Sequence, residues 1–542
     1  MILAAAVFGL FMAILDATIV GVATPAIQRG FKTDIETATW VLNAYNLVFA
    51  VLLIPAGRVA DRFGRKKAFL AGIVIFTVFS LACGLSGQIE LLIAFRACQA
   101  AGAAIMVPVS LAIVTVAFPP QQRGLAVGVW GAISGAAGAI GPTMGGVLTQ
   151  YAGWEWIFFV NVPVGVLAIV ACVVLIPDSR DLEASHRLDL AGLVTLSGAL
   201  FTLTLALIRG EAEGWSSPFI VGLFMAFAVF TVLFVVAEHA ARNPLVDLRM
   251  LRQRTFGAAS VAILLFGFGF FGALFLFIQY LTVVEGYSVL RAALAVTPLP
   301  AAIIVVGPIA GRLSDRYGPH VLIVSGVSIF GLALFFFSRL AGGEAYTDVF
   351  WRLIVGGVGA GLAFPPLTSA AMGSVAGGKQ GVGAGVFNTA RQIGFTIGLA
   401  VLVAVFVGAL HPRLADAQSE ANTLVQQSDL PVPVQQGVTQ GIASAISSVN
   451  PGAISGEQQS FDLYEAVRQS GGAAVADANR ATLDRLSGEL KALFAQAAAD
   501  AFDRAFLVAA IILWSGVIPA YFVKRAPDTV LASSPMRPRP GR

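Results

Sequence analysis

Asp16 stands alone in an apolar run, Ile14-Leu15-Asp16-Ala17-Thr18-Ile19. A charge in such a setting costs about 2.5–3.5 kcal/mol on insertion scales and usually faces a cavity or an ion partner. Burial raises a carboxyl pKa and a nearby cation lowers it. An acid held between those effects can titrate near neutral pH. Arg96, inside a second apolar run, is its natural partner. At 1.5 Å per residue the two lie roughly 15 and 9 Å below the same membrane surface, within reach of long side chains. A purely structural ion pair is the plainer reading. Arg391 is a third isolated charge, with Asn388 and Gln392 around it and no obvious acid in its own half of the chain. An anionic substrate group, a backbone carbonyl or an acid from another helix could meet it.

A second kind of chemistry sits at two helix ends. Gly57-Arg58-Val59-Ala60-Asp61-Arg62-Phe63-Gly64-Arg65 and Gly311-Arg312-Leu313-Ser314-Asp315-Arg316-Tyr317-Gly318 both read G-x-x-x-D-R-x-G. Gly57 permits close helix approach. Asp61 can hold Arg65 or Arg62, and can face the positive N-terminal end of the helix that starts after Gly377-Gly378. These residues read as a conformational latch, with Asp315 and Arg316 as its second copy. The second copy continues Pro319-His320-Val321 where the first has Arg65-Lys66-Lys67, so the first is expected to be the stronger. A plain positive-inside topology signal would explain the basic residues but not Asp61 or the glycines.

The elements that must position these groups follow from composition. Hydrophobic residues make up 57% of the 542-residue chain and charged residues 12%, with a mean hydropathy of +0.83. A soluble domain carries roughly 25% charged residues. About fourteen apolar runs are long enough to span a bilayer as helices. The expected fold is an all-α integral membrane protein: two pseudo-symmetric six-helix bundles plus two extra helices. Aligning the doubled motif divides the chain into a bundle at 1–177, two inserted helices within 178–256 and five helices at 257–409. A polar and partly helical outer loop at 410–503, a last span at 504–524 and a tail at 525–542 complete it. The outer loop reads as a cap over the outer mouth or, more sharply, as a docking surface for a partner.

Lys and Arg give the orientation. The hairpin at 61–67 shares one side with Arg123, Arg180, Arg187, Arg242, Arg249, Arg252, Arg254, Arg312, Arg316, Lys379, Lys524 and Arg525. The other side keeps few, among them Arg29, Lys32, Arg209, Arg291 and Arg339. The bias places both termini in the cytoplasm and the protein in the cytoplasmic membrane. Met1 leads straight into an apolar helix without a basic n-region, which reads as a retained span.

Several motifs, in order, resemble the major facilitator superfamily and its fourteen-helix drug:proton antiporter branch. They are the hairpin at 57–67, Leu15-Asp16-Ala17-Thr18 with Pro25, and Arg96-Ala97-Cys98-Gln99. Gly135, Gly138, Gly141-Pro142 and Gly145-Gly146 resemble the antiporter motif of helix 5. Trp154-Glu155-Trp156-Ile157-Phe158 with Asn161, and Asn388-Thr389 with Arg391-Gln392, also look typical of the branch. Ala100 stands where Gly is common, and Glu155 replaces the usual Arg, so no role of that Arg carries over. The resemblance implies that Asp16 and Arg96 cooperate in proton coupling and that the helix 5 glycines seal the halves.

The substrate would be a small amphipathic molecule. Asn43, Tyr45, Asn46, Phe271, Gln279, Asn388 and Arg391 are the candidate contacts, with one or two phenylalanines of the run 257–282 lining a cavity. The expected function is proton-coupled export by alternating access, with a lipid or glycolipid exporter and a solute:proton symporter as alternatives. Protons, substrate and membrane lipids are the implied partners. The glycines form no nucleotide-phosphate loop. Cys83, Cys98 and Cys172 lack metal spacing, and neither His239 nor His320 has ligand spacing. No metal, cofactor, nucleic acid or enzymatic reaction is expected.

Overall fold

The computed structural model describes residues 1–177, 189–241, 244–340, 342–343, 345–376, 379–428, 430–448, 463–464, 467–468 and 473–524. Among them are fourteen helices long and apolar enough to cross a membrane. The first six are α1 (Ile2–Phe31), α2 (Glu36–Phe63), α3 (Arg65–Gly84), α4 (Ile89–Ala117), α5 (Arg123–Tyr151) and α6 (Trp156–Leu175). Next come α7 (Leu190–Gly210) and α8 (Pro218–Ala240). The last six are α9 (Arg254–Val283), α10 (Leu290–Tyr317), α11 (His320–Phe337), α12 (Tyr346–Gly373), α13 (Gln380–Gln426) and α14 (Arg480–Tyr521). The protein is an integral membrane protein. The face that carries the hairpin at 61–67 is called near here, and the opposite one far.

Local chemistry sets the helix ends. Asp34 caps α2 by accepting from Thr37 N at 2.8 Å, and Asp189 caps α7 by accepting from Gly192 N at 2.8 Å. Ser217 precedes Pro218, which opens α8 where a missing N–H costs nothing. Gly64 has φ 104° and Gly318 φ 88°. Each turns the sharp corner between paired helices in a conformation that a side chain would strain. The last glycine of the doubled motif is therefore a backbone requirement.

Helices α1–α6 pack among themselves, as do α9–α14, and the two groups meet chiefly where α5 lies on α10 and α2 on α13. The inserted pair is peripheral. α7 sits in the seam between α2 and α13, and α8 packs on α7. Val221, Met225, Val229, Val232 and Val236 of α8 are exposed at helical spacing, an apolar face suited to lipid. On the near face Lys379 Nζ donates to Asp247 at 2.9 Å, tying the segment before α9 to the start of α13. That hydrogen bond holds the Asp247 carboxyl below its ordinary pKa.

The far face departs from a simple loop. α13 does not end at residue 409 but runs unbroken through Pro412 to Gln426, and α14 begins at Arg480 rather than near 504. Hydropathy falls where these helices leave the bilayer, yet their Ala, Gln and Leu content keeps them helical. Arg413 Nε lies 3.4 Å from the Asp500 carboxylate and joins the two extensions. Beyond it, Val425 of α13, Val438 and Ile442 of the helix Val432–Ser448, and Leu483, Leu486 and Leu490 of α14 form a small hydrophobic core of their own. Arg180, Arg187, Arg242, Gly377-Gly378, the stretches 449–462 and 469–472, and the tail 525–542 lie outside the described residues.

Since this far core is separate, Leu486→Ala is expected to cost about 2–5 kcal/mol of local stability. Hydrogen exchange should then rise over 432–448 and 480–494 while α1–α12 keep their protection. Unchanged exchange there would show that this core does not hold the far region together.

Candidate functional site

α1 presents a buried polar group on one side and cavity-lining residues on the other. Leu15, Asp16 and Ile19 are buried against neighbouring helices, and Asp16 is 0% exposed. Its carboxylate accepts from Arg96 Nη1 of α4, from Gln99 Nε2 at 3.0 Å and from Asn161 Nδ2 at 3.0 Å. Asn161 belongs to α6, so the carboxylate ties three helices together. Arg96 is held in turn. Its Nε donates to the Val41 carbonyl at 3.2 Å, its Nη1 donates to Gln99 Oε1 at 2.8 Å, and its guanidinium lies 4.2 Å from the Tyr45 ring centre. Tyr45 donates its hydroxyl to the Ala13 carbonyl at 3.3 Å, and Asn161 also donates to Ser80 Oγ at 3.1 Å.

Three donors converge on this one carboxylate. An ionised carboxylate only accepts hydrogen bonds, and this one is satisfied as an anion. A protonated carboxyl would present an O–H to a site filled with donors.

The other side of α1 faces a cavity whose empty space, counted together with the open solvent at its mouth, is about 840 Å³. Ile14 and Thr18 line it from α1, and Gly131, Ser134, Gly135, Gly138 and Pro142 line it from α5. Phe266, Phe270, Phe271, Leu274 and Ile278 of α9 form the opposite wall. Phe364 of α12 and Arg391 of α13 close one side. Phe266 stacks on Phe270 at 5.6 Å and on Phe364 at 6.1 Å, and Trp130 stacks behind Phe364 at 6.2 Å. Pockets of this kind, apolar with a few placed polar groups, hold small organic molecules.

The glycines of α5 divide by face. Gly124 and Gly128 lie against Gly311, Gly307 and Pro308 of α10. Gly131, Gly135 and Gly138 leave the cavity open. Gly141 and Gly145 press on Thr18 and Ile19 of α1, so tightly that a Cβ at Gly145 would lie 2.6 Å from the Ile19 carbonyl oxygen. Gly146 faces Leu290 and Val22.

On the near face, two carboxylates each sit on a helix N-terminus of the other half. Asp61 accepts from Gly381 N and Val382 N of α13, both at 3.0 Å. Asp315 accepts from Gly124 N at 3.0 Å and Leu125 N at 3.2 Å of α5. Amide N–H groups and the helix dipole there both favour an anion. Gly57 and Gly311 make the approach possible, since a Cβ at either would overlap the facing glycine carbonyl. Arg65 Nη2 donates to Asp61 at 3.1 Å from a buried position, whereas Arg62 stacks on Phe63 and Arg316 on Tyr317.

Of the candidate substrate contacts, Phe271 and Arg391 line the cavity. Asn43, Tyr45, Asn46, Gln279 and Asn388 are not among its lining residues. Tyr45 belongs to the Arg96 cluster, Asn388 donates to the Ala384 carbonyl, and Gln279 Oε1 accepts from Thr282. Sequence reasoning did not pick out Gln99 and Asn161 as ligands of Asp16, or Ser134 and Phe364 as cavity walls. Gln99 had a signal, since it lies three residues after Arg96 on the same helix face. Phe364 had none, as its place depends on how α12 packs.

Comparison with known proteins gives the family. The family model described as Major Facilitator Superfamily matches residues 6–399. A "Tetracenomycin C resistance and export protein" of Streptomyces glaucescens is 36% identical over 422 residues, covering 78% of each chain. "Multidrug resistance protein Stp" of Mycobacterium tuberculosis is 36% identical over 448 residues, covering 82% of this chain and 81% of its own. Among solved structures, a bacterial homolog of the human lysosomal transporter Spinster superposes with a TM-score of 0.53 at 18% identity. That superposition covers 97% of this chain and 98% of the other. This chain is a membrane transporter and not an enzyme, and it belongs to the Major Facilitator Superfamily.

Proposed function

We propose that the protein is a proton-driven exporter of amphipathic small molecules, or drugs, working by alternating access in the cytoplasmic membrane. The observation that carries this reading is the placement of Asp16. It is fully buried, accepts three hydrogen bonds, and shares its helix with two residues that line an apolar cavity. Protonation of Asp16 would loosen α1 from α4 and α6 and thereby move Ile14 and Thr18 in the cavity wall. Proton and substrate would then be coupled through one helix without touching. The names of the relatives, which describe drug resistance and export, support the cargo and direction.

The near face carries the hairpin with Arg62, Lys66 and Lys67, and in this reading it is cytoplasmic, with both termini inside. The Asp61 and Asp315 contacts then act as latches that shut the cytoplasmic side, and the cavity opens inward when they part. The Asp61 latch includes Arg65 as a buried charge partner. One proton moving down 100 mV releases about 2.3 kcal/mol. With one pH unit, worth about 1.4 kcal/mol, the sum sustains roughly a 500-fold gradient of exported substrate when one proton is spent per neutral molecule.

Drug-stimulated proton movement in proteoliposomes tests the function. Protons moving opposite to substrate support the exporter, co-movement supports a symporter, and movement of lipid in place of drug supports a lipid exporter. Asp16→Asn is expected to abolish proton-coupled exchange while the protein still inserts and folds. Intact pH-dependent exchange in that variant would remove Asp16 from the mechanism. Asp61→Asn weakens one latch by about 1–2 kcal/mol and should change turnover some 5- to 30-fold with topology unchanged. Wild-type turnover in proteoliposomes would count against the latch.

A further inference from the structure

We infer that the cavity is built for a planar aromatic organic anion, with Arg391 as its anion subsite. The inference rests on the exporter reading and narrows its substrate. Arg391 is 7% exposed and is the charged residue among the described cavity-lining residues. Its guanidinium lies 5.8 Å from the Phe364 ring centre, and among the described residues it has no hydrogen-bond or ion-pair partner. A guanidinium buried in an apolar site needs a counter-anion.

None of the six lining helices supplies one. α5 and α9 contain no Asp or Glu. Asp16 of α1 is bound to Arg96, and Asp315 of α10 accepts from the start of α5 on the near face. Asp348 stands in the first turn of α12, sixteen residues before Phe364, and Asp416 and Glu420 lie twenty-five or more residues past Arg391 on α13. Along a helix these separations are about 24 and 38 Å or more. The charge that completes the site must arrive with the ligand.

The shape of the ligand follows from the rings. Phe266, Phe270 and Phe364 present nearly parallel faces, with interplanar angles of 12° and 26°, and Phe271 meets Phe270 edge-on at 5.1 Å. A flat aromatic body can lie against the cavity side of this ring stack by offset stacking. A carboxylate or phenolate on its rim fits the fork of Arg391, which favours bidentate recognition over a point charge.

The test is binding of three matched probes to the full chain in nanodiscs: anthracene carboxylate, its neutral hydroxymethyl analogue and its cationic aminomethyl analogue. The wild type should prefer the anion over the neutral probe by about tenfold to a hundredfold, the range of a charge-assisted hydrogen bond. Arg391→Gln should bring that ratio close to one, and Arg391→Lys should leave it between the two. If Arg391→Gln does not fold, the wild-type ratio and the Lys variant decide. A wild type that binds the neutral or cationic probe as well as the anion overturns the inference and leaves the exporter reading standing. An anion preference that survives in Arg391→Gln does the same. Failure of all three probes to bind or be transported counts against the exporter reading itself.

Discussion

The arrangement depends on one buried charge. Asp16 sits where hydrocarbon-like packing would otherwise be cheapest, and Arg96, Gln99 and Asn161 surround it. Removing two charges from water costs several kcal/mol per ion, and only good geometry with further hydrogen bonds offsets it. The added donors supply that geometry. In the proposed mechanism they also make the site responsive, because a proton added to the carboxylate would displace some of these donors. Stability and responsiveness come from the same contacts.

The second constraint is close approach between the halves. α5 meets α10 and α2 meets α13 backbone to backbone, so each contact relies on glycine pairs, Gly124 with Gly311 and Gly57 with Gly381. Side-chain packing would be hard to undo and remake. A carboxylate on two amide N–H groups is short, directional and reversible, and the same device appears once in each direction across the interface. The cavity lies between those contacts and the α1–α5 seam, where α5 turns its middle glycines toward open space.

Much of this was legible from sequence because the bilayer is a strict solvent. Fourteen apolar runs, the doubled hairpin and the isolated charges Asp16, Arg96 and Arg391 are all visible without coordinates. The Asp61 contact with the start of α13 was also readable, since a carboxylate after a glycine-rich helix end matches a helix N-terminus. What escaped was tertiary. Composition marks where a helix leaves the membrane and not where it stops, which is why α13 and α14 extend into the far region. Polar residues such as Asn388 and Gln279 were assigned to substrate from chemical type alone, yet they bond within their own helices. The cavity's polar group Ser134 and its ring Phe364 depend on helix rotation, which a single sequence with near-uniform hydropathy does not reveal.

In the proposed mechanism Asp16 takes up or gives up a proton as the cavity fills, through α1. Proton release on adding a transported aromatic substrate to purified protein, in weakly buffered solution below neutral pH, measures this directly. The account predicts release from the wild type and none from Asp16→Asn at matched substrate occupancy. Equal release from both proteins, or saturating occupancy of the wild type with no release across the pH range of transport, would contradict it.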